Sequence, residues 1–264
     1  MDSFISLLDQ WITATAWKIP TPKPYGTFHL CFTLIGFAVC SLLAYRLRNI
    51  SLKASRRLLI GIGVFLMVTE VYKQLLYCMT IQESGYPWWI FPFQLCSIPM
   101  YLCIITPLLK PGELQKSLYT FMMLYNLLGG GISFAEPSGL LNKYVTLTAH
   151  SMIWHMLLVF VGLFLMFSGL GGRTSKDYRH STYVFLGLCV IAFTINVVFR
   201  DVSGGTINMF FIGPAKTSIA VFKQIANRFG WYVSTAVYIP AICLGAYLIL
   251  RVIRHVPAKE AIAK

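Results

Sequence analysis

Two side chains within apolar stretches of the sequence are of types that carry out covalent catalysis. Cys96 lies between Pro92 and Pro99 in the segment FPFQLCSIP, and His155 lies in TAHSMIWHMLL. A cysteine becomes a nucleophile when a base removes its thiol proton, and histidine is the base most often used. The two residues therefore indicate a nucleophile and its base. Cys103 is a rival nucleophile, and packing of a small apolar side chain is the competing interpretation.

A second histidine, His150, precedes His155 by five positions. On a helix this spacing separates the two rings by about 140° around the axis, so both cannot easily bind one metal ion. We therefore predict no metal and no cofactor. One histidine is expected to face a cavity as a base while the other is satisfied by a backbone carbonyl, and the sequence leaves open which is which.

Further polar residues interrupt the apolar sequence. Glu70 and Lys73 are three apart, so they share one helix face and either neutralise each other or point into a common polar cavity. Ionisable groups at membrane depth are costly and indicate function unless they are paired. Four amide side chains are additional candidates for binding a substrate or its headgroup: Gln94, Asn126, Asn196 and Asn208.

The elements that position these residues are predicted to be membrane helices. The chain has 264 residues, of which 57% are hydrophobic and 12% charged, and its mean hydropathy is +0.68. This is too apolar for a water-soluble domain, so we predict an all-α, polytopic helix bundle. The net charge of +13 is spread over short connections between apolar segments. It favours contact with membrane phospholipids and not with nucleic acid.

About seven transmembrane helices fit the apolar segments. The third is interrupted by Pro92, Pro99 and Pro107, which predicts a kinked helix and a cavity beside it. We expect an interfacial helix and linker at 1–27, a seven-span domain at 28–253 with an interfacial loop at about 201–230, and a cytoplasmic tail at 254–264. The predicted spans are 28–45, 58–79, 87–109, 118–134, 144–167, 183–199 and 231–253.

The distribution of basic residues predicts the orientation. Of the 22 Lys and Arg, 14 lie in the first, third and fifth connections and the C-terminal segment, against 7 on the other side. Because short cytoplasmic loops are enriched in basic residues, we expect the C-terminus in the cytoplasm and the N-terminus outside, in a multi-pass protein of the cell membrane.

Several of these segments together resemble a known family. They are the E-x-x-K of the second span, FPFQLC, LYNLLGGG followed by a proline, SMIWHMLLVFVGLFL, and N-M-F-F before G-P. The combination is similar to the YwaF-like integral membrane proteins of bacteria, which are related to the transmembrane protein 164 family. The resemblance covers roughly residues 30 to 250.

The resemblance implies a chemistry, because the eukaryotic relatives are understood as glycerophospholipid acyltransferases that use a cysteine and a histidine. Carried over by position, Cys96 would accept an acyl group from a phospholipid, and His155 would be the base, with His150 as the fallback. Gln94 or Asn126 would then donate to the oxyanion.

An alternative function is a transporter or lipid-binding protein without covalent chemistry. Its polar cavity would be lined by Glu70, Lys73, Gln94, His155 and Asn196. Transporters often carry internal repeats with matching broken helices, and we find no convincing repeat between the halves of this sequence.

Overall fold

The fold is described by a computed structural model that covers residues 2–82, 85–215, 217 and 219–256. These residues form helices and no strands, which confirms the predicted all-α fold. Residues 257–264 of the predicted tail lie outside the described range. The helices are α1 (Asp2–Ala14), α2 (Thr27–Leu47), α3 (Leu52–Leu76), α4 (Ile98–Leu108), α5 (Glu113–Ala135), α6 (Val145–Ser168), α7 (Ser175–Val198), α8 (Ala220–Phe229) and α9 (Trp231–Ile253).

Six of the described helices are long and apolar enough to cross a membrane: α2, α3 with the π-helical turn that extends it to Ile81, α5, α6, α7 and α9. The chain is therefore a multi-pass membrane protein. By contrast, α4 has 11 residues. A helix of that length is about 16 Å long, well short of a hydrocarbon core of about 30 Å. Seven crossings, and the orientation of the termini, remain predictions.

The third predicted span, 87–109, is not one continuous helix. Residues 88–90 form a single 3₁₀ turn, the chain then runs irregularly to Ser97, and α4 begins at Ile98. Proline explains where α4 starts, because Pro99 occupies one of its first positions, where a missing N–H costs nothing. In place of the predicted kink, the helix is therefore interrupted over residues 91–97. The backbone N–H and carbonyl groups of this segment lie outside a regular helix and can bond to side chains.

The central helices of the bundle are α5 and α6. Over half of each membrane segment is buried, 56% and 61%, against 28% or less for the other long helices. They approach closely at Gly130, where a Cβ atom would lie 2.8 Å from Val159 Cγ2 and 3.1 Å from the His155 carbonyl oxygen. Glycine at this position therefore allows the helix that carries His155 to pack against α5.

An arginine in the connection between α6 and α7 holds two helix ends together. Arg173 donates from Nη2 to the Met166 carbonyl at 2.8 Å and from Nη1 to the Ile253 carbonyl at 3.1 Å. These carbonyls lie in the last turns of α6 and α9, where a cation is favourable. Burial lowers the pKa of Arg173, but an arginine stays charged at any physiological pH.

Part of the predicted interfacial loop at about 201–230 is buried inside the bundle. Ile207, Met209, Phe210 and Ile212 are at most 1% exposed. The chain then returns outward to α8, none of whose residues is buried. We refer to residues 207–213 as the buried loop. It was missed because its apolar run, INMFFIG, is too short to stand out as a span.

Candidate functional site

The candidate nucleophile lies in the irregular segment before α4. Cys96 is half-buried, and its carbonyl oxygen accepts a hydrogen bond of 2.9 Å from Trp154 Nε1 on α6. A turn closed by the Ser97 N–H on the Gln94 carbonyl, at 2.7 Å, fixes the backbone around it. The cysteine is thus attached to the helix that also carries His155.

One ring nitrogen of the candidate base bonds to the backbone of its own helix. His155 Nδ1 lies 2.8 Å from the Ser151 carbonyl oxygen, which only accepts, so Nδ1 carries the hydrogen of the neutral ring. Nε2 therefore keeps the lone pair that a base requires. Among the described residues no hydrogen bond joins this ring to the Cys96 thiol. Catalytic contacts often tighten only when substrate binds, so the two remain a plausible pair.

Glu70 and Lys73 form an ion pair with an N–O distance of 2.8 Å. Glu70 Oε1 also accepts 2.6 Å from Gln74 Nε2, and Gln74 Oε1 accepts 2.8 Å from the Tyr86 hydroxyl. Burial raises the pKa of Tyr86 to about 12, so its hydroxyl stays protonated and able to donate. Of the two interpretations offered by the sequence, this geometry favours mutual neutralisation, with Glu70 holding Lys73 in place.

Lys73 is also the charge that links the candidate catalytic residues. Its ammonium acts electrostatically on the Cys96 thiol and on the rings of His150 and His155. Cys96 comes from the irregular segment before α4, both histidines come from α6, and Lys73 comes from α3, so the fold brings these residues around one cation. Glu70, which pairs with Lys73, acts on the Cys96 thiol in the opposite sense and offsets part of this effect.

Two of the predicted binding amides hold the buried loop and do not face a cavity. Asn196 Nδ2 donates 3.0 Å to the Met209 carbonyl, and Asn196 Oδ1 accepts 2.6 Å from the Met209 N–H. Gln94 Nε2 donates 3.0 Å to the Asn208 carbonyl, and Gln94 Oε1 accepts 2.9 Å from the Phe210 N–H. Each amide uses its oxygen and one of its two N–H groups in these bonds, so both side chains are held by the buried loop.

A third amide completes this arrangement from within the loop. Asn208 Nδ2 donates 2.8 Å to the Ala215 carbonyl, and Asn208 Oδ1 accepts 2.8 Å from the Gly213 N–H. We call Gln94, Asn196 and Asn208 the amide clamp. It satisfies backbone groups that would otherwise be unpaired inside an apolar bundle. The sequence signal was present, since an Asn directly precedes the apolar run MFFIG.

Each of the two remaining predicted polar residues has one buried nitrogen that lacks a partner among the described residues. Asn126 is 3% exposed, and its Nδ2 has no partner among the described residues. His150 Nε2 is likewise buried and unpaired, and its ring centroid lies 5.2 Å from that of Trp154. Buried polar groups without partners are rare, and each calls for an explanation such as an absent ligand or water. Of the two oxyanion donors predicted, Asn126 has an amide nitrogen with no partner among the described residues, whereas Gln94 is held by the buried loop.

The rival nucleophile is a packing residue. Cys103 is fully buried, and its Sγ lies 3.8 Å from Met122 Sδ between α4 and α5. Residues that the sequence reasoning missed are Trp154, which holds the Cys96 carbonyl, and Gln74 with Tyr86, which hold Glu70. The partner of Trp154 is 58 positions away, so the sequence gave no sign of that contact. Gln74 follows Glu70 by four positions, and this helical spacing is the signal that could have revealed their bond.

Comparison with known proteins gives one match. Searches of curated proteins and of solved structures each returned no significant match. The family model described as the TMEM164 family matches residues 24–250, which include the whole candidate site and every long helix except the last few residues of α9. The chain therefore belongs to the TMEM164 family.

Proposed function

We propose that the protein is a phospholipid acyltransferase that uses Cys96 as nucleophile and His155 as base. The observation that carries the proposal is the hydrogen bond from Trp154 to the Cys96 carbonyl, because it attaches the Cys96 segment to α6, the helix that also carries His155. Lys73 adds a positive charge that acts on both residues. The family resemblance supplies the substrate class, since a shared fold alone does not determine the reaction.

The reaction proceeds in two half-reactions. His155 Nε2 takes the thiol proton, the Cys96 sulfur attacks an acyl ester carbonyl of the donor phospholipid, and the leaving alkoxide takes the proton from His155 to become a lysophospholipid hydroxyl. The hydroxyl of an acceptor lysophospholipid then attacks the thioester, gives its proton to His155, and the proton returns to the thiol. Asn126 Nδ2 is the candidate donor to the oxyanion in each step.

Membrane placement follows the charge pattern. Basic side chains concentrate near the ends of α2, α6 and α9 and the start of α3, and we propose that this end faces the cytoplasm. The N-terminus then lies outside, the chain crosses seven times, and the resemblance to bacterial proteins favours the cell membrane. The partners of the protein are membrane phospholipids.

Acyl capture by the purified protein tests the proposal. The protein is incubated with a phosphatidylcholine carrying an alkyne-tagged acyl chain, and the tag on protein is measured before and after hydroxylamine, which cleaves thioesters. We expect a hydroxylamine-sensitive label on the wild type that moves to an added lysophospholipid. Cys96→Ala should abolish the label, and His155→Gln should reduce its rate at least about tenfold, within the range usual for a lost general base.

Cys103→Ala and His150→Gln are the matched controls. Cys103 is a buried cysteine on the adjacent helix, and His150 is the neighbouring histidine on α6. Both variants should keep the label. A folded wild-type protein without label, or a label that survives Cys96→Ala, overturns the proposal and favours non-covalent lipid binding. If only His150→Gln abolishes the label, the base is His150.

A further inference from the structure

Three polar atoms at one end of the bundle are buried without partners. They are Arg56 Nε on α3, Thr106 Oγ1 on α4 and the Tyr119 hydroxyl on α5. Thr106 is fully buried and Tyr119 is 3% exposed, whereas Arg56 is half-buried. Three unpaired polar atoms from three helices in one region exceed what a well-packed interior tolerates.

Packing between the helices brings these atoms together. A Cβ atom on Gly63 would lie 3.0 Å from Cys103 Cβ, and Cys103 Sγ lies 3.8 Å from Met122 Sδ. Thr106 is one turn beyond Cys103, and Tyr119 is one turn before Met122, so both lie towards the start of α3. The charge of Arg56 acts electrostatically on the Tyr119 hydroxyl, in agreement with this packing.

Many similar side chains elsewhere in the bundle find partners, although the hydroxyls of Thr146, Ser168 and Thr235 do not. The hydroxyls of Thr33 and Thr120 bond to carbonyls four residues earlier on their own helices, at 2.7 Å in each case. The Tyr101 hydroxyl donates 2.9 Å to the Pro92 carbonyl. The hydroxyls of Thr106 and Tyr119 make no such bond and are left available for a ligand. An internal contact is the default, so its absence in both residues marks this region.

The positive charge of this region favours an anionic ligand. Arg56 has no ion pair with any carboxylate among the described residues, and Arg46, Arg48, Lys53 and Arg57 lie near the same end of the bundle. A guanidinium with hydroxyl donors beside it is suited to phosphate oxygens. The start of a membrane helix is also the depth at which lipid phosphates lie.

We propose that Arg56, Thr106 and Tyr119 form a binding site for the phosphate of an anionic phospholipid. Anionic headgroups are preferred over phosphatidylcholine because the surrounding basic side chains repel the choline cation. The site is distinct from the candidate catalytic site. Arg56 and Lys73 are 17 positions apart on α3, which corresponds to roughly 25 Å. The ester bonds of a lipid held there lie only a few atoms from its phosphate and do not reach Cys96.

Native mass spectrometry of the purified protein in detergent measures this binding directly. Phosphatidylglycerol and phosphatidylcholine are titrated in parallel, and the dissociation constant of the first bound lipid is determined. We expect the wild type to bind phosphatidylglycerol more tightly. Arg56→Gln should weaken that binding at least about tenfold and remove the preference, and Tyr119→Phe and Thr106→Val should each weaken it several-fold, as expected for lost hydrogen bonds to a charged group.

Arg57→Gln is the matched control, because it removes the same charge from the neighbouring, exposed position. Equal loss of binding in Arg56→Gln and Arg57→Gln overturns the proposal, since binding would then depend only on general charge.

Glycerol 3-phosphate and inorganic phosphate are tested by thermal unfolding. If either stabilises the wild type as much as phosphatidylglycerol does, the ligand is a soluble phosphate and not a lipid. If Arg56→Gln does not fold, Arg56→Lys replaces it in the test. This variant keeps the positive charge and should bind phosphatidylglycerol more weakly than the wild type does.

Discussion

Asn196 allows the role of the amide clamp to be tested quantitatively. Asn196→Leu keeps the branched shape of the side chain, with a larger volume, and removes both hydrogen bonds to Met209, a residue that is fully buried. The Met209 N–H and carbonyl are then left unpaired in an apolar interior. Each such group costs about 1–3 kcal/mol, so the free energy of unfolding should fall by about 2–6 kcal/mol.

Backbone strain in the buried loop makes the clamp necessary. Phe210 and Phe211 have φ angles of 56° and 58°, in the left-handed region that bulky side chains disfavour. Each of these residues costs roughly 1–2 kcal/mol, so the loop relaxes once a clamp residue is removed. Gln94→Leu should therefore lower the free energy of unfolding less in the Asn196→Leu variant than in the wild type. The difference between the two effects, the coupling energy, should be about 0.5–3 kcal/mol.

Reversible unfolding in detergent micelles, followed by tryptophan fluorescence, measures these differences. Thr194→Val is the control, because Thr194 is exposed two positions earlier on α7 and its hydroxyl bonds only to its own helix. It should change the free energy of unfolding by less than about 0.5 kcal/mol. A value for Asn196→Leu as small as that of the control, or strict additivity with Gln94→Leu, would refute the idea of a common clamp.

Two further predictions concern the ion pair and the central helix contact. Glu70→Gln leaves the charge of Lys73, a side chain that is 18% exposed, without its partner and should lower the free energy of unfolding by about 3–5 kcal/mol. Adding Lys73→Met removes that unpaired charge and should recover part of the loss. Equal losses in the single and double variants would contradict this expectation. Gly130→Ala inserts a methyl group 2.8 Å from Val159 Cγ2 and should cost about 1–3 kcal/mol in the same unfolding assay. Gly131→Ala meets no heavy atom within 4 Å and should be neutral or stabilising, so a similar effect of both alanines would show that the close approach does not matter.

The apolar segments predicted most of the fold because a helix that crosses the hydrocarbon core needs apolar side chains along most of its length. Six of the seven predicted spans correspond to long helices, and the last, 231–253, has the same bounds as α9. The third span failed as a helix because hydropathy reports burial and not backbone conformation. Pro92 and Pro99 indicated a kink, but not that residues 91–97 would leave the helical path altogether.

The candidate site was only partly predictable, for a related reason. Residue type and depth identified Cys96, His155 and the Glu70–Lys73 pair, since each is unusual in an apolar helix. The same criteria could not separate Gln94 and Asn196, which hold backbone groups of the loop, from Asn126, whose Nδ2 has no partner among the described residues. That distinction depends on where a distant segment of chain comes to lie.

The buried loop also constrains the order in which the protein is assembled. Its partners Gln94 and Asn196 both precede it in the chain, and they come from segments separated by about a hundred residues. At seven residues the loop is too short to be inserted into the bilayer as a span. We therefore expect it to enter the bundle from the membrane surface after α7 has docked, closing the assembly as its final step.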